Sequence, residues 1–417
     1  MRILSILLIL LFATGLKAQD VSGCTDPQAN NFDAEANIND GSCTYNPTVY
    51  KPNFRFLLPD EVEETSGLIL WDGGYWTHND SGGDNVIYKL DTLSGEVVQR
   101  VRIVNSTNVD WEDIAQDEDF IYVGDFGNNY GNRDDLSVYI IDKSDINTEE
   151  YTEVSATRIS FTYEDYAGNQ LKKKDNNFDC EAMIASENYI YLFSKNRGDD
   201  QSKLYKLPKV EGNYVAELVN TFNTAGLITG ADLNKKTNEL ILVGYTNNSW
   251  IPFIWLMFDF EDEDFYSGNK RRIDMINIPA TQTEGICYTA NGKGVISSES
   301  NPLFNTTMYN FTTSQWIDNG ASLVVSGLNA NFDFNIYPNQ VVCSKKLKIV
   351  FTKIPDGNYN IAVYDSMGRI VKTKDYSVDR KDEDYRLKIK TKNLKSGTYF
   401  LRVSNEKGII EKKFIKQ

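Results

Sequence analysis

The sequence predicts an all-β protein that consists of a five-bladed β-propeller followed by a small immunoglobulin-like β-sandwich. Residues 52–327 repeat a pattern of short, alternating apolar runs about every 50 residues, and such runs are typical of strands. A repeat of this length indicates a propeller or a related repeat architecture. The last segment, residues 332–417, has short strand-like runs separated by turns and no helical periodicity, which favours a sandwich.

Each repeat opens with a strand that follows a small or acidic signature. The five openings are TSGLIL from Thr65, DWEDIA from Asp110, DCEAMI from Asp179, ITGADL from Ile228 and TEGICY from Thr283. Four repeats end with a fourth strand, and residues 54–59 can supply the strand that the fifth repeat lacks. That pairing closes the ring and removes its exposed edges. Two alternatives stay open: an irregular sandwich, and a sixth blade within residues 165–177.

The first strand of each propeller blade lines the central channel, so the signature residues are expected to converge. Aligning the repeats places five residues at one equivalent position: Ser66, Glu112, Glu181, Gly230 and Glu284. The ends of the second strands are expected at one channel mouth. The side chains brought there are His78, Asn79, Asp80, Asp125, Asn128, Lys195, Asn196, Tyr245 and Glu299.

Six of these residues are carboxylates and form the predicted metal site. They are Glu112, Glu181, Glu284, Asp125, Glu299 and Asp80. Unpaired buried carboxylates cost several kcal/mol each, so they need a cation, Lys195, backbone N–H donors or protonation. Hard oxygen ligands suit Ca²⁺ or Mg²⁺. The alternative is a structural role, in which the Glu side chains accept hydrogen bonds from the backbone of neighbouring blades.

Catalytic residues are harder to assign, and the candidates are His78, Asp80 and Lys195. His78 is the single histidine of the chain, which excludes a multi-histidine zinc site. A lone histidine is more often a hydrogen-bonded structural residue than a proton shuttle. The sequence has no GxSxG motif, no Walker loop and no dinucleotide fingerprint.

The beginning of the chain predicts export. Residues 1–19 combine Arg2, an apolar run too short to span a bilayer and a small residue at Ala18, which is the pattern of a secretory signal peptide. No later segment is long and apolar enough to form a transmembrane helix. The net charge is −16, and the residues from Asp333 onward carry 19 Lys/Arg against 10 Asp/Glu, which leaves −25 for the rest. An acidic body of this kind argues against nucleic acid as a partner.

Residues 20–47 contain Cys24 and Cys43 in a segment with few apolar residues. In a secreted protein we expect these two cysteines to form a disulfide that closes a loop of about 20 residues and contributes about 3 kcal/mol. The stretch GCTDPQANNFDAEANINDGSC resembles the short CTDPxAxNYxPxAxxDDGSC modules of secreted proteins of the Bacteroidetes. Its oxygen-bearing side chains are also spaced loosely like a calcium loop, although the bidentate Glu of an EF-hand is missing.

The C-terminal segment carries four motifs in order: FNIYPN, VYDSMGRIV, LKSGTYFLRV and the basic end KKFIK. Together they resemble the C-terminal sorting domain of the type IX secretion system. Gln340 is a departure, since the family usually has Pro there. The resemblance implies export across the outer membrane by the type IX machinery, removal of this domain, and either release or attachment to the cell surface.

The repeats WTHNDSGG, DWEDIA and DCEAM resemble secreted bacterial propellers and, more loosely, phytase-like and lactonase-type propellers. In the latter, a channel Glu with Asp and Asn ligands holds a divalent ion. Two functions follow for this chain. It is either an extracellular module that binds a glycan, a peptide or a small molecule through loops such as GNNYGNRDD and TNNSWIPF, or a metal-assisted hydrolase of an ester, lactone or phosphoester.

Overall fold

The prediction of an all-β protein is confirmed. The computed structural model has strands and two short 3₁₀-helices, Asp60–Val62 and Lys143–Asp145, and no α-helix in the part of the chain that it describes. The chain divides into two compact units, Met1–Thr313 and Ser314–Gln417. The structure describes residues 20–168, 174–317, 332–337, 340–341, 346–353, 355–365, 369–378, 386–405 and 408–416.

The first unit begins with a small disulfide-linked module. Its two short strands, β1 (Ser22–Gly23) and β2 (Ile38–Asn39), pair in parallel. The predicted disulfide between Cys24 and Cys43 is confirmed. Two strands follow before the first repeat: β3 (Thr48–Tyr50) and β4 (Asn53–Leu57).

Oxygen-bearing side chains of this module cap its own turns. Asp33 accepts a hydrogen bond from the backbone N–H of Glu35, and Asn39 accepts one from Gly41. Asp40 likewise accepts from the N–H of Ser42, 3.0 Å away. The oxygens that resemble a calcium loop in the sequence therefore have a structural use as turn caps.

Five antiparallel groups of four strands follow, and each is made mainly from one sequence repeat. We call each group a sheet, although the second and third are joined into one eight-stranded sheet by the pairing of their outer strands. The first sheet contains β5 (Thr65–Trp71), β6 (Gly74–Asn79), β7 (Val86–Asp91) and β8 (Val97–Ile103). The second contains β9 (Trp111–Gln116), β10 (Phe120–Asp125), β11 (Ser137–Asp142) and, after the added strand β12 (Tyr151–Val154), β13 (Thr157–Tyr163). The third contains β14 (Cys180–Ala185), β15 (Tyr189–Ser194), β16 (Gln201–Pro208) and β17 (Gly212–Asn223).

The last two sheets complete the first unit. The fourth contains β18 (Leu227–Asn234), β19 (Glu239–Tyr245), β20 (Pro252–Phe258) and β21 (Asn269–Met275). The fifth contains β22 (Thr283–Ala290), β23 (Lys293–Ser298) and β24 (Thr307–Thr312), and β4 pairs antiparallel with β24 as its fourth strand. Of residues 165–177, the described positions contain no strand.

The first strands of the five sheets pack against one another in a closed cycle. β5 lies beside β9, β9 beside β14, β14 beside β18, β18 beside β22, and β22 again beside β5. Apolar side chains from neighbouring sheets share cores, such as the cluster of Trp76, Trp111 and Tyr139 between the first and second sheets. The inner strands of the sheets are therefore buried on both faces, whereas outer strands such as β8 and β13 alternate between buried and more exposed residues.

The outer edges of the first four sheets are covered by added pairings. β12 pairs in parallel with β8, β3 pairs in parallel with β21, and the outer strands β13 and β17 pair with each other. These pairings satisfy backbone groups that an open edge would leave free for association with another chain.

Two buried aspartates connect neighbouring first strands. Asp113 accepts a hydrogen bond from the backbone N–H of Met183 in the next sheet, 2.7 Å away, and another from Ile114. Asp232 makes the same pair of contacts, with Tyr288 of the fifth sheet at 2.7 Å and with its own neighbour in the chain. Each carboxylate thus satisfies two buried N–H donors, one of them across a sheet boundary.

The second unit contains two sheets around one core. The three-stranded sheet has the order β25 (Asp333–Tyr337), β27 (Lys346–Lys353) and β30 (Arg386–Lys390). The five-stranded sheet has the order β26 (Gln340–Val341), β32 (Gly408–Lys416), β31 (Gly397–Asn405), β28 (Gly357–Asp365) and β29 (Ile370–Val378). Both contribute to a single cluster of buried apolar residues, including Phe334, Ile349, Leu401 and Phe414.

Some sequence predictions lie outside the described residues. They are the signal peptide at residues 1–19, residues 318–327 at the end of the predicted propeller, and the environment of Cys343. No helix among the described residues is long and apolar enough to span a membrane.

The aspartate links between sheets lead to a stability prediction. Replacing Asp113 with Ala leaves the buried N–H groups of Met183 and Ile114 without their acceptor, and each such loss costs about 1–3 kcal/mol. We expect the variant to lower the free energy of unfolding by about 2 kcal/mol or more, measured by urea denaturation of the full chain. Replacing the exposed Glu118 with Ala is the matched control and should change stability by less than about 0.5 kcal/mol. Equal stability of both variants would contradict the structural role of Asp113.

Candidate functional site

A β-bulge lies near the beginning of the first strand of each sheet. In four sheets the bulge leaves one residue without a partner on the second strand; these residues are Glu112, Glu181, Thr229 and Glu284. In the first sheet the register shifts between Ser66 and Ile69. Bulges re-aim side chains and are frequent beside functional sites. The alignment of repeats placed Gly230 at this position in the fourth sheet, whereas the bulged residue is Thr229, one position earlier.

Five carboxylates come together at one end of the first three sheets. Oxygen atoms of Asp80, Asp110 and Glu112 all lie within 4.8 Å of one another, and so do oxygen atoms of Glu112, Asp179 and Glu181. Glu112 belongs to both groups. We call these five residues the acidic centre. Asp80 follows β6, while the other four come from the beginnings of β9 and β14, or the residues just before them.

Two cationic side chains lie against one part of the acidic centre. The ammonium of Lys195, which is only 3% exposed, forms an ion pair with Glu181. Arg197 forms an ion pair with Asp179, and its guanidinium also lies 3.7 Å from Glu181. Glu112, in contrast, has no ion-pair partner among the described residues. The acidic centre therefore holds five carboxylates against two cations, and the excess of negative charge is at Glu112 and the residues beside it.

Burial and mutual repulsion shift the acid–base equilibria of the centre. Burial raises the pKa of Glu112 well above its usual range, and the charges of Glu181 and Asp80 raise it further. Burial, followed by the charges of Asp80 and Asp179, raises the pKa of Asp110 to about 7. Burial also raises the pKa of Glu181 to about 7, although Lys195 opposes this shift. At neutral pH the centre therefore needs protons or a further cation.

The other predicted metal ligands lie outside the two groups of oxygens. Asp125 is bound by Arg133 at 2.9 Å and accepts a hydrogen bond from the backbone N–H of Asp110 at 3.1 Å, so it positions the centre. Glu299 accepts a hydrogen bond from the side chain of Gln282. Glu284 is buried, and its Oε2 has no hydrogen-bond partner within the described ranges.

The structural role that the sequence left open for the Glu residues was to accept backbone hydrogen bonds from a neighbouring sheet, and Asp113 and Asp232 accept such bonds. Two hydroxyl groups add links between sheets. The hydroxyl of Ser66 donates to the backbone carbonyl of Glu112 in the next sheet, and Thr229 donates to that of Thr283. The carboxylates of Glu112 and Glu284 make no hydrogen bond to a neighbouring backbone in the part of the chain that the structure describes.

The candidate proton shuttle His78 is fully buried and is not one of the residues of the acidic centre. Its ring packs edge-on against Trp111, with the centroids 5.6 Å apart, and its Nδ1 lies 3.0 Å from the carbonyl oxygen of Asn79. Burial lowers the pKa of His78 to about 4, so the ring is neutral at physiological pH. The other two catalytic candidates, Asp80 and Lys195, lie in the acidic centre and beside it, respectively.

Sequence reasoning missed Asp110, Asp179, Arg133 and Arg197. The first two had a usable signal, because Asp-x-Glu occurs at the same point of two repeats, at residues 110–112 and 179–181. The arginines come from loops after second strands, where no repeat pattern marks them. Gly127 also belongs to the site, because a Cβ atom at this position would overlap the carboxylates of Glu112 and Asp110.

Comparisons with known proteins identify the second unit. Residues 335–417 match the family described as secretion system C-terminal sorting domain. The predicted destination is thereby confirmed: the protein is exported through the type IX system to the cell surface or the outside. No curated protein sequence matches the chain.

Solved structures give only distant matches. The chain is similar to an exo-β-1,3-galactanase from Phanerochaete chrysosporium, with 10% identity, a TM-score of 0.41 and coverage of 88% of this chain and 99% of that one. It is also similar to the hydrazine synthase of Kuenenia stuttgartiensis, with 11% identity, a TM-score of 0.30 and coverage of 73% and 78%. Similarity at this level carries no conclusion about activity.

The raised pKa values predict a pH dependence of stability in the absence of divalent cations. Burial, followed by the charge of Asp80, raises the pKa of Glu299 to about 8, and that of Asp110 is about 7, whereas the ordinary values are 4.5 and 3.8. Such groups contribute stability that is complete below the ordinary pKa and is lost as pH rises through the folded-state pKa. We therefore expect the melting temperature of the full chain in EDTA to fall between about pH 5 and about pH 8.5.

Replacing Glu299 with Gln should flatten the part of this fall near pH 8, because the titrating group is gone while a side chain of similar size stays. The exposed Glu118→Gln variant should reproduce the curve of the unmodified protein. A melting temperature that stays constant or rises over this range would show that the carboxyl groups are not held in their protonated form.

Proposed function

We propose that the protein is an extracellular binding protein, in which a five-bladed β-propeller holds a divalent cation at the acidic centre and a C-terminal immunoglobulin-like sandwich serves export. The five sheets with cyclically packed first strands support the propeller. The two sheets around one core support the sandwich. A signal peptide at residues 1–19 accords with export through the type IX system.

The excess of carboxylates at Glu112 carries the cation proposal. Ligand oxygens that surround one Ca²⁺ at about 2.3–2.6 Å are no more than about 5 Å apart. The oxygens of Asp80, Asp110 and Glu112 meet this condition, since they lie within 4.8 Å of one another. A bound divalent cation offsets the repulsion that raises the pKa of Glu112. Carboxylate oxygens favour Ca²⁺ or Mg²⁺ over softer metals.

A metal-assisted hydrolase is the second candidate, and one observation favours it. Asp110 and Glu181 have pKa values of about 7, and Lys195 is paired with Glu181. Groups that titrate near neutral pH are suited to general acid–base catalysis beside a cation that activates water or polarises a carbonyl. The ligand-binding function needs only the cation, whereas the hydrolase needs these proton-transfer groups as well.

Cation binding is tested by isothermal titration of the full chain with Ca²⁺ and with Mg²⁺ after dialysis against EDTA. We expect one site. Glu112→Gln should lower the cation affinity at least about tenfold, because loss of a residue that only hydrogen-bonds to a metal ligand already costs about 10–100-fold in affinity. Glu118→Gln, an exposed carboxylate in the same hairpin, is the matched control and should bind like the unmodified protein. Heat of binding that is absent in all proteins, or unchanged in Glu112→Gln, would refute the cation site.

The hydrolase is tested with chromogenic esters, lactones and phosphoesters in the presence of the cation that binds. If the second candidate holds, Lys195→Met should reduce turnover at least about a hundredfold, because general acid–base groups contribute about 10²–10⁴. The same variant should retain measurable cation affinity, since Lys195 is no ligand of the Glu112 group. If the unmodified protein hydrolyses no ester, lactone or phosphoester of this set, the hydrolase is refuted and the binding function stands.

A further inference from the structure

Three loops of the first unit carry exposed aromatic side chains. Tyr130 is 51% exposed, Trp250 is 44% exposed and Phe304 is 42% exposed. The loops follow the second strands of the second, fourth and fifth sheets, which end at Asp125, Tyr245 and Ser298, respectively. Aromatic side chains beside a few polar groups commonly line ligand sites. Of these residues, Trp250 has contacts that lead toward the acidic centre.

Trp250 is held in a conformation that bulky residues rarely adopt. Its φ is 51°, which is in the left-handed region. Thr246 holds the loop: its carbonyl accepts from the N–H of Trp250 at 2.9 Å, and its Oγ1 accepts from the N–H of Ile251 at 2.9 Å. A strained residue that presents half of its side chain to solvent is more typical of a functional site than of a structural turn.

A chain of contacts joins Trp250 to the acidic centre. Its ring lies 6.2 Å from that of Tyr245, centroid to centroid. The ammonium of Lys195 lies 5.2 Å from the centroid of the Tyr245 ring and pairs with Glu181. Trp250 is therefore joined to Glu181 of the acidic centre through two intervening side chains, those of Tyr245 and Lys195.

Asn196, which follows Lys195 in the chain, and Glu284 are buried and carry polar atoms without a hydrogen-bond partner in the described part of the chain. Asn196 is 0% exposed, and both its amide oxygen and its amide nitrogen are unpaired. Glu284 is 4% exposed, and its Oε2 is unpaired, while the charge of Lys195 acts on its carboxylate. Buried polar atoms are bonded in the great majority of cases, so these unpaired atoms are available to hydrogen-bond a ligand or a water molecule.

We propose that Trp250 and these unpaired groups bind a neutral saccharide, with one sugar ring stacked on Trp250. This inference rests on the proposed binding function of the same site. A sugar ring has an apolar C–H face that suits an indole, and its hydroxyl groups both donate and accept. They therefore match a mixed set of an amide, a carboxylate and an ammonium, namely Asn196, Glu284 and Lys195. An anionic ligand would be repelled by the excess of carboxylates.

The test is binding of the full chain to neutral cello-, laminari-, xylo-, manno- and galacto-oligosaccharides, followed by titration calorimetry and tryptophan fluorescence. We expect at least one of these to bind and to change the fluorescence of Trp250. Trp250→Ala should weaken this binding at least about tenfold, which corresponds to about 1.4 kcal/mol. Trp250→Phe, which retains an aromatic face, should recover part of it. Tyr189→Ala is the matched control. Tyr189 is also exposed, but it lies at the opposite end of β15 from Lys195.

The two proposals fail separately in this design. Trp250→Ala should retain the Ca²⁺ or Mg²⁺ affinity of the unmodified protein, since Trp250 is not a cation ligand. Saccharide binding by a protein that gives no heat of binding with Ca²⁺ or Mg²⁺ would refute the cation site and leave the saccharide site intact. Cation binding with no response to any oligosaccharide, or with equal saccharide affinity in Trp250→Ala, would overturn the saccharide site. Salt-sensitive binding of an oligolysine peptide in place of the sugars would assign the site to basic peptides.

Discussion

The antiparallel pairing of β4 with β24 is the contact on which the rest of the first unit depends. It joins strands that are about 250 residues apart in the chain, so its entropic cost is met only when the intervening sheets are formed. Because of this pairing the first and fifth sheets become neighbours, and β22 packs against β5. Burial is the main cause of the raised pKa of Glu299, and the charge of the nearby Asp80 raises it further. The electrostatics of the site are thus a consequence of ring closure.

The acidic centre is unfavourable for folding and must be offset by the surrounding sheets. Several buried carboxylates with two cations repel one another, and each unpaired charge in such an environment costs several kcal/mol. The compensating interactions are the apolar cores between neighbouring sheets, with large buried side chains such as Trp76, Trp111 and Phe193. A concentration of poorly compensated charge within a well-packed scaffold is typical of sites whose groups act on a ligand.

The sequence was sufficient for the repeats, the first-strand carboxylates and the export domain, but not for the composition of the site. Glu112 and Glu181 were found because equivalent positions in repeats face a shared axis. Asp110 and Asp179 lie just before their strands, where the alternation of apolar residues no longer indicates which way a side chain points. Strand register was the second limit on the prediction. In the fourth sheet the residue without a partner is Thr229 and not Gly230, and this depends on how β18 pairs with β19, which no local sequence pattern encodes. Arg133 and Arg197 were out of reach because loops fold according to their tertiary contacts.

The distribution of side chains among the repeats separates structural positions from functional ones. If the bulge positions had only a structural role, the side chains there should make similar contacts in all sheets. In the first and fourth sheets, Ser66 and Thr229 do bond the backbone of the next sheet. Glu112, at the corresponding bulge of the second sheet, makes no such bond in the described part of the chain, although Asp113 beside it does. Since neighbours already supply the links between sheets, the carboxylate of Glu112 is left for a different partner, and a cation is the one that its surroundings favour.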